Sequence, residues 1–440
     1  MAKIRERERE AILKALGGGV TPRRGINHIQ VGRAEETKAI LHDLEQIKAG
    51  SGAVRIFSAS YGAGKTFMVT LAKTIALKQN MMVITADLSP DRRLYSSSGQ
   101  AQALYREEIR SLSTPTNPDG GALEEILCTI DEKVMADENS NFLSELKKLP
   151  YGYDAATVCN QWHIACNPIT DKEKRDAFLL KDACLRWFSG ETTTESRKLL
   201  GVRTSIGDDG AWDALKLIAI MGHFAGYAGL LVELDECKNL FDINNPTSRA
   251  RNYEQILRIF NECLQGDAKY IGAFFYGTPE FVTDPRKGLF SYDALRSRLI
   301  SSEYFGEDSE KLDLNSPIIK LQPLSQENLL VLLGNITNVE ALGVRENWLV
   351  EDADMQKFME KYFNTLGANY YRTPREIIRS FVSMLQFIKE NPDASMTTVI
   401  GNVKVEAPKK ESGLSQVTTT INKQEETDGG FEDEDADFGW

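Results

Sequence analysis

Short apolar runs alternate with amphipathic stretches from about residue 26 to residue 240. Four of these runs have the length and composition of strands that are covered on both faces: residues 54–58, 82–86, 229–234 and 271–276. Amphipathic stretches lie between them; residues 253–264 place five apolar side chains on one face: Tyr253, Ile256, Leu257, Phe260 and Leu264. The alternation predicts an α/β fold in which helices flank a parallel sheet.

Beyond residue 323 the pattern becomes helical throughout. Ser325 begins one predicted helix, residues 347–363 form a second, and Thr373 caps a third that runs to about residue 389. We therefore expect an α/β domain over residues 26–315, followed by a smaller helical lid domain over residues 316–408.

The two ends of the chain differ from this body. Residues 1–25 form a predicted N-terminal arm, in which basic and acidic groups alternate around Ile4, Ile12 and Leu16 before three glycines stop the helix. This pattern is typical of a solvated helix, and a specific docking role is the alternative. Residues 409–440 are polar and acidic, and we expect them to be disordered.

Composition restricts the class of protein. Of the 440 residues, 42% are apolar and 26% are charged, which is typical of a soluble globular chain. The charged start and the absence of a long apolar run argue against a signal peptide and a membrane helix, so a cytoplasmic location is expected. Six scattered cysteines without a Cys-x-x-Cys pair suggest reduced thiols, with neither a zinc site nor a disulfide framework.

The net charge of −12 is unevenly distributed. Residues 401–440 carry −6, so half of the imbalance lies in the last 40 residues. A negative balance argues against indiscriminate nucleic-acid binding.

The first predicted strand is followed by a phosphate-binding sequence, ASYGAGKTF at residues 59–67, and then by an apolar helix start. Glycines let backbone N–H groups turn inward around phosphate, the helix N-terminus adds positive charge, Lys65 reaches the outer phosphates, and the Thr66 hydroxyl ligates Mg²⁺. Ala59 replaces the first glycine of the usual pattern, which leaves the wrapping part intact. The predicted nucleotide contacts are Ser60, Tyr61, Gly62, Ala63, Gly64, Lys65, Thr66 and Phe67.

A second element, LLVELDE at residues 230–236, ends the third predicted strand. Asp235 is the predicted Mg²⁺ ligand, acting through water, and Glu236 the residue that orients the attacking water. Acidic pairs end many ordinary strands, so this assignment depends on the upstream phosphate loop. Because 170 residues separate Lys65 from Asp235, we expect a helical insertion at about residues 100–215.

Three further residues are candidates for catalysis. Thr278 follows the fourth predicted strand as a sensor candidate, although threonine before proline is also a common strand-ending turn residue. Arg296 and Arg298 lie near the end of the α/β domain, where one could act as an arginine finger on a neighbouring subunit. The alternative is that both are simply solvated or ion-paired.

Two more places suit a nucleotide pocket. Gly32 and Arg33 form a turn before a predicted helix, where adenine is often covered. Arg375 lies in the first turn of the helix after Thr373, and a cation at that end of a helix favours an anion such as phosphate. Local pairing of Arg375 with Glu376 is the alternative.

Taken in order, these elements are similar to those of initiator-type AAA+ ATPases over residues 26–390. More narrowly, four segments resemble the BrxD-like P-loop ATP-binding proteins of bacterial BREX phage-defence systems: YGAGKTF at 61–67, DLSPDRRL at 87–94, GQAQALYR at 99–106 and YRTPRE at 371–376. The resemblance implies a bacterial cytoplasmic ATPase that works beside other BREX components in antiviral defence.

The sequence thus predicts an AAA+-type ATPase that binds and hydrolyses Mg-ATP to switch its engagement with DNA or a partner, either a copy of itself or another BREX component. The alternative is a DNA-binding loader or clamp that uses ATP as a conformational latch. Aromatic residues bracket the acidic run at residues 431–440, which could dock on a basic groove of a partner or serve only as a solubilising tail.

Overall fold

Five strands form one parallel sheet in the computed structural model, which describes residues 4–137, 139–300, 314–364 and 373–402. The strands are β1 (Gly52–Ser58), β2 (Met82–Asp87), β3 (Leu230–Asp235), β4 (Ile271–Gly277) and β5 (Ile318–Lys320). Their order is β2-β3-β4-β1-β5. The predicted α/β class and its four strands are confirmed. The predicted tail at residues 409–440 lies outside the described residues.

The fifth strand extends the sheet past the boundary expected at residue 315. β5 has three residues, of which Ile318 pairs with Ile56 and Lys320 with Ser58. Pro317 and Pro323 flank it closely. A run this short next to prolines carries little strand signal, and its partner strand lies far away in the sequence.

The register of the sheet brings the functional segments to one edge. Ser58, which precedes the phosphate loop, pairs with Gly277, and Asp87 pairs with Asp235. Carboxyl ends of parallel strands share an edge, where loops that contact ligands usually lie.

One face of the sheet is covered by two helices, α2 (Ala34–Lys48) and α3 (Lys65–Lys78). Leu44 of α2 and Met68 of α3 are fully buried in the same cluster as Leu231 and Phe274 of the sheet. This packing fixes the start of α3 against the carboxyl edge of β1.

Residues 100–225, between β2 and β3, are largely helical. The helices are α4 (Gln100–Ser111), α5 (Leu123–Ile130), α6 (Phe142–Leu146), α7 (Gly152–Cys166), α8 (Asp171–Phe188), α9 (Thr194–Leu200) and α10 (Ala211–Ala225), with a π-helical turn at Asp131–Met135. Trp162, Trp187 and Leu217 are buried in one core with Val232 and Leu234 of β3. These helices therefore share the hydrophobic core of the second sheet face.

Four helices follow β3 and β4: α11 (Lys238–Phe241), α12 (Pro246–Gln265), α13 (Pro279–Thr283) and α14 (Asp293–Leu299). The helix predicted at residues 253–264 is the longer α12, because Asn245 caps it by accepting a hydrogen bond from the Ser248 N–H (3.0 Å). Leu264, expected on the buried face, is 70% exposed. The buried stripe runs through Ile259 and Cys263 instead, so the prediction for Leu264 was wrong.

The C-terminal helices are α15 (Gln326–Glu340), α16 (Asp352–Asn364), α17 (Pro374–Glu390) and α18 (Met396–Asn402). Ser325 caps α15 by accepting from the Asn328 N–H (3.1 Å), as predicted. Thr373 is the N-cap residue of α17, but its side chain makes no capping hydrogen bond.

The N-terminal helix α1 (Glu6–Gly17) packs with these C-terminal helices. Ile12 and Leu16 are buried in one cluster with Leu333, Phe381 and Val382. The arm is therefore not the solvated helix that its charge pattern suggested, because its apolar stripe has a partner more than 300 residues away in the sequence.

The six cysteines are all free thiols. Within the described ranges, the structure holds no helix that is both long and apolar enough to cross a bilayer.

Candidate nucleotide-binding site

A cleft lies where the phosphate loop, the N-terminal segment and the C-terminal helices meet. It contains about 960 Å³ of space between atoms, a volume that includes open solvent. Its apolar lining includes Leu16, Val20, Ile29, Leu324 and Ile378. Its polar and charged lining comes from the loop from Tyr61 to Thr66 together with Glu236 and Arg375. The cleft therefore offers both apolar and charged groups to a ligand.

The loop has the backbone that a phosphate nest requires. Gly62 and Gly64 have φ angles of 73° and 104°, in the left-handed region where glycine is favoured. A Cβ atom at Gly62 would lie 2.4 Å from Thr373 Cγ2, so a larger residue does not fit there. Lys65 then begins α3, which points its positive helix end at the loop.

The Lys65 ammonium is held inside this loop. Its Nζ donates hydrogen bonds to the Ala59 carbonyl (2.9 Å) and the Ser60 carbonyl (3.2 Å). Burial lowers the pKa of Lys65, and the negative charges of Asp235 and Glu236 oppose that shift. An anion in the cleft would add to those charges and favour the ammonium form.

Two side-chain oxygens that could ligate a metal ion lie close together at the start of α3. The Thr66 hydroxyl lies 3.5 Å from Asp235 Oδ2, and Asp235 Oδ1 accepts a hydrogen bond from the Glu236 N–H (2.7 Å). Burial, together with the negative charges of Glu236 and Asp87, raises the pKa of Asp235 to about 6, although the hydrogen bond from the Glu236 N–H and the charge of Lys65 oppose the shift. Hard oxygen ligands of this kind suit Mg²⁺, whose charge would stabilise the carboxylate that burial disfavours.

Glu236 has a φ angle of 56°, which is uncommon for a residue with a side chain. The next residue, Cys237, is held in place because its N–H donates a hydrogen bond to the Tyr276 carbonyl of β4 (3.0 Å). Backbone strain of this kind concentrates at functional sites, and here it accompanies a carboxylate that lines the cleft.

The remaining loop residues surround the nest. Tyr61 is 51% exposed, and its ring centre lies 4.8 Å from Lys65 Nζ and 5.2 Å from Lys238 Nζ. Ala63 and Phe67 line the cleft. Ser60 contributes its carbonyl to Lys65.

Gly32 and Arg33 lie beside the loop. Gly32 (φ 64°) is outside the cleft lining, and a Cβ atom there would lie 2.7 Å from Asn328 Nδ2. Arg33 is almost fully buried and hydrogen-bonds to protein groups, among them the Ala63 carbonyl (2.9 Å).

Arg375 lines the cleft from the first turn of α17. Its positive charge contributes to the lowered pKa of Lys65. Arg372, which belongs to the same sequence motif, lies outside the described residues.

Three of the six predicted catalytic residues do not line the cleft, and neither do Gly32, Ser60 and Asp235. Thr278 is buried at the edge of β4, where its hydroxyl caps α13 by accepting from the Phe281 N–H (3.4 Å). Arg298 is exposed on α14 and donates to Asn261 Oδ1 (2.8 Å), and Arg296 is exposed on the same helix. The structure therefore places the two arginines on the surface.

The sequence reasoning missed the N-terminal contribution to the cleft. Leu16, Gly19, Val20, Thr21 and Pro22 all line it. The available signal was Val20, an apolar residue that lies between three glycines and a proline. Val20 is 59% exposed in the structure. Asp87 was also missed as a neighbour of Asp235, although both follow predicted strands.

The chain matches the model of the BREX system ATP-binding protein BrxC/D family over residues 4–404. This range contains every residue of the cleft. No curated protein matches the chain.

Proposed function

The chain belongs to the BREX system ATP-binding protein BrxC/D family, and on that premise we propose that it is an AAA+-type ATPase that binds Mg-ATP in the cleft and hydrolyses it. The observation that carries the proposal is that Lys65, Thr66 and Glu236 line the cleft, and that Asp235 lies 3.5 Å from the Thr66 hydroxyl and accepts a hydrogen bond from the Glu236 N–H. The parallel sheet, with the phosphate loop between β1 and α3, supports a P-loop fold.

The phosphates would bind in the nest formed by residues 62–66, with the base against apolar side chains of the cleft lining. Lys65 would exchange its carbonyl partners for phosphate oxygens, which are stronger acceptors because they are charged. Thr66 and Asp235 are the residues that would hold Mg²⁺, which supplies charge neutralisation at the phosphates.

Glu236 is the proposed residue that orients water for attack. It lines the cleft beside Lys65, and its backbone is fixed by the bond between Cys237 and β4. Arg375 would contact the outer phosphate from the helical lid formed by α15–α18, as its place in the cleft lining supports.

Assembly would complete the site. Arg296 and Arg298 are exposed on α14 and do not line the cleft of their own chain. An arginine finger acting on a neighbouring subunit needs such an exposed position. Thr278 keeps the sensor role as a proposal, through its place at the edge of β4.

In a BREX system the proposed role of hydrolysis is to change the engagement of this chain with other cytoplasmic BREX components, or with DNA. Lid closure on ATP is the conformational step that would transmit occupancy of the cleft to such a partner.

The experiment is a measurement of phosphate release by the purified chain with Mg²⁺, with EDTA, and with the Lys65→Ala variant. Turnover that needs Mg²⁺ and is lost in Lys65→Ala supports the proposal. Lys78→Ala, an exposed lysine at the other end of α3, is the matched control. Turnover unchanged in Lys65→Ala would overturn the assignment.

A further inference from the structure

We propose that Arg33 is a positioning residue that orients the phosphate nest by holding the Ala63 carbonyl, and thereby acts on nucleotide through the loop backbone. This inference rests on the proposed function, because it assigns a role within the same cleft.

The Arg33 side chain is 4% exposed and donates hydrogen bonds to three segments of the chain. Its Nη2 donates to the Ala63 carbonyl (2.9 Å). Its Nη1 donates to Glu36 Oε1 (2.8 Å) and to the Gln322 carbonyl (2.9 Å). These bonds occupy the guanidinium with protein acceptors.

The bond to Ala63 determines where the next N–H points. In a planar trans peptide the C=O and N–H groups point in opposite directions. Because the Ala63 carbonyl points at Arg33, the Gly64 N–H points away from it. Gly64 has a φ angle of 104° and immediately precedes α3, so this N–H belongs to the set that forms an anion nest.

Arginine is suited to this role by its geometry. A planar guanidinium presents N–H donors in fixed directions, whereas a lysine ammonium is a compact donor on a flexible stem. Glu36, in the first turn of α2, balances the buried positive charge of Arg33. Lysine at position 33 would keep the charge and lose part of the three-way contact.

The same guanidinium reaches the chain that leads to the C-terminal helices. Gln322 follows Leu321, whose N–H donates to the Ser58 carbonyl at the end of β1 (2.9 Å). Arg33 therefore connects the phosphate loop at Ala63 to Gln322, whose neighbour Leu321 is bonded to the end of β1.

The test displaces a fluorescent ATP analogue from the full chain with two competitors. Inorganic tripolyphosphate reports on the nest, and adenosine reports on the rest of the cleft. In Arg33→Lys, tripolyphosphate competes about tenfold more weakly than with wild type, while adenosine competes within about twofold of wild type.

Arg55→Lys is the matched control. Arg55 is another buried arginine, which pairs with Asp43 and donates to the Ser316 carbonyl (2.6 Å). Its hydrogen bonds go to Asp43, Leu314 and Ser316, all outside residues 59–66. Both competitors should act on Arg55→Lys as they do on wild type.

A second variant keeps the test decisive if Arg33→Lys does not fold. Glu36→Gln removes the charge that holds the guanidinium, and about a threefold weaker competition by tripolyphosphate alone is expected. Unchanged tripolyphosphate competition, or equal weakening of both competitors, would overturn the role of Arg33. Failure of the wild-type chain to bind the ATP analogue would instead overturn the proposed function.

Discussion

The Thr66 hydroxyl lies 3.5 Å from Asp235 Oδ2, although 169 positions separate the two residues in the sequence. A long helical crossover between β2 and β3 accounts for that separation, and the pairing of Asp87 with Asp235 anchors its two ends in adjacent strands. The two oxygen donors of the proposed metal site are therefore brought together by the sheet.

Replacement of Glu236 by glutamine should separate binding from hydrolysis. Glutamine keeps the size of the side chain but cannot polarise water as a carboxylate does, so turnover should fall by about a hundredfold or more. The dissociation constant for ATP should stay within about threefold of wild type. Titration calorimetry and phosphate release measure the two quantities.

Glu195→Gln provides the control, since Glu195 is an exposed glutamate of α9. It should change neither quantity. Hydrolysis by Glu236→Gln at close to the wild-type rate would remove Glu236 from the mechanism.

The N-terminal helix should contribute to both stability and affinity. Ile12 of α1 is fully buried in the cluster that α1 shares with the C-terminal helices. Ile12→Ala should therefore lower the free energy of unfolding of that region by about 2–4 kcal/mol. Affinity for ATP should also fall, because residues 19–22, which follow this helix in the chain, line the cleft.

Urea unfolding and ATP titration test this expectation. Ile164→Ala is the matched control, since Ile164 of α7 is 36% exposed and its loss should cost under about 1 kcal/mol. An Ile12→Ala variant with wild-type ATP affinity would show that the N-terminal segment does not shape the cleft.

Stability should depend on pH through Glu108. This carboxyl is fully buried on α4, and burial raises its pKa to about 8. Oε2 has no hydrogen-bond partner in the described part of the chain. The folded chain keeps the proton up to about pH 8, whereas the unfolded chain releases it near the ordinary pKa of 4.5. Stability is therefore lost as pH rises between these values.

Glu108→Gln removes this titration. The variant should have a higher free energy of unfolding than wild type. The difference should grow by up to about 1.4 kcal/mol for each unit by which the pH rises. Denaturant unfolding between pH 5.5 and 8 measures the difference, with Glu107→Gln of the same helix as the control. Parallel pH profiles for wild type and Glu108→Gln would contradict the buried proton.

Arg296 and Arg298 should act between subunits. Their replacement by alanine should lower turnover by about tenfold or more if one is a finger, with ATP binding retained. Mixing this double variant with Lys65→Ala should restore turnover, because one chain supplies an intact cleft and the other supplies the arginines.

Turnover by the mixture equal to the sum of the two inactive variants would exclude action in trans. Arg251→Ala, an exposed arginine of α12, serves as the control for loss of surface charge.

Much of the sheet could be predicted from the sequence. β1–β4 are apolar runs covered by helices on both faces, which produces a signal within a few residues. The phosphate loop is equally local, since its glycines, lysine and threonine are consecutive.

The features that could not be predicted from the sequence depend on contacts between distant segments of the chain. Nothing within residues 1–22 specifies that Ile12 joins a buried cluster with Phe381, or that Val20 lines the cleft. β5 has too few residues for a pattern, and the face of α12 that is buried is set by its neighbours rather than by its apolar residues alone. Arg33 illustrates the same limit, because its acceptors Ala63 and Gln322 are backbone groups.

The most direct test of the central claim is an experimental structure of the chain with Mg²⁺ and a non-hydrolysable ATP analogue. We predict the β-phosphate within about 3.2 Å of N–H groups of residues 62–66, Lys65 Nζ on phosphate oxygens, and the metal beside Thr66 and Asp235. A nucleotide bound elsewhere, with Lys65 still bonded to the Ala59 and Ser60 carbonyls, would contradict the account.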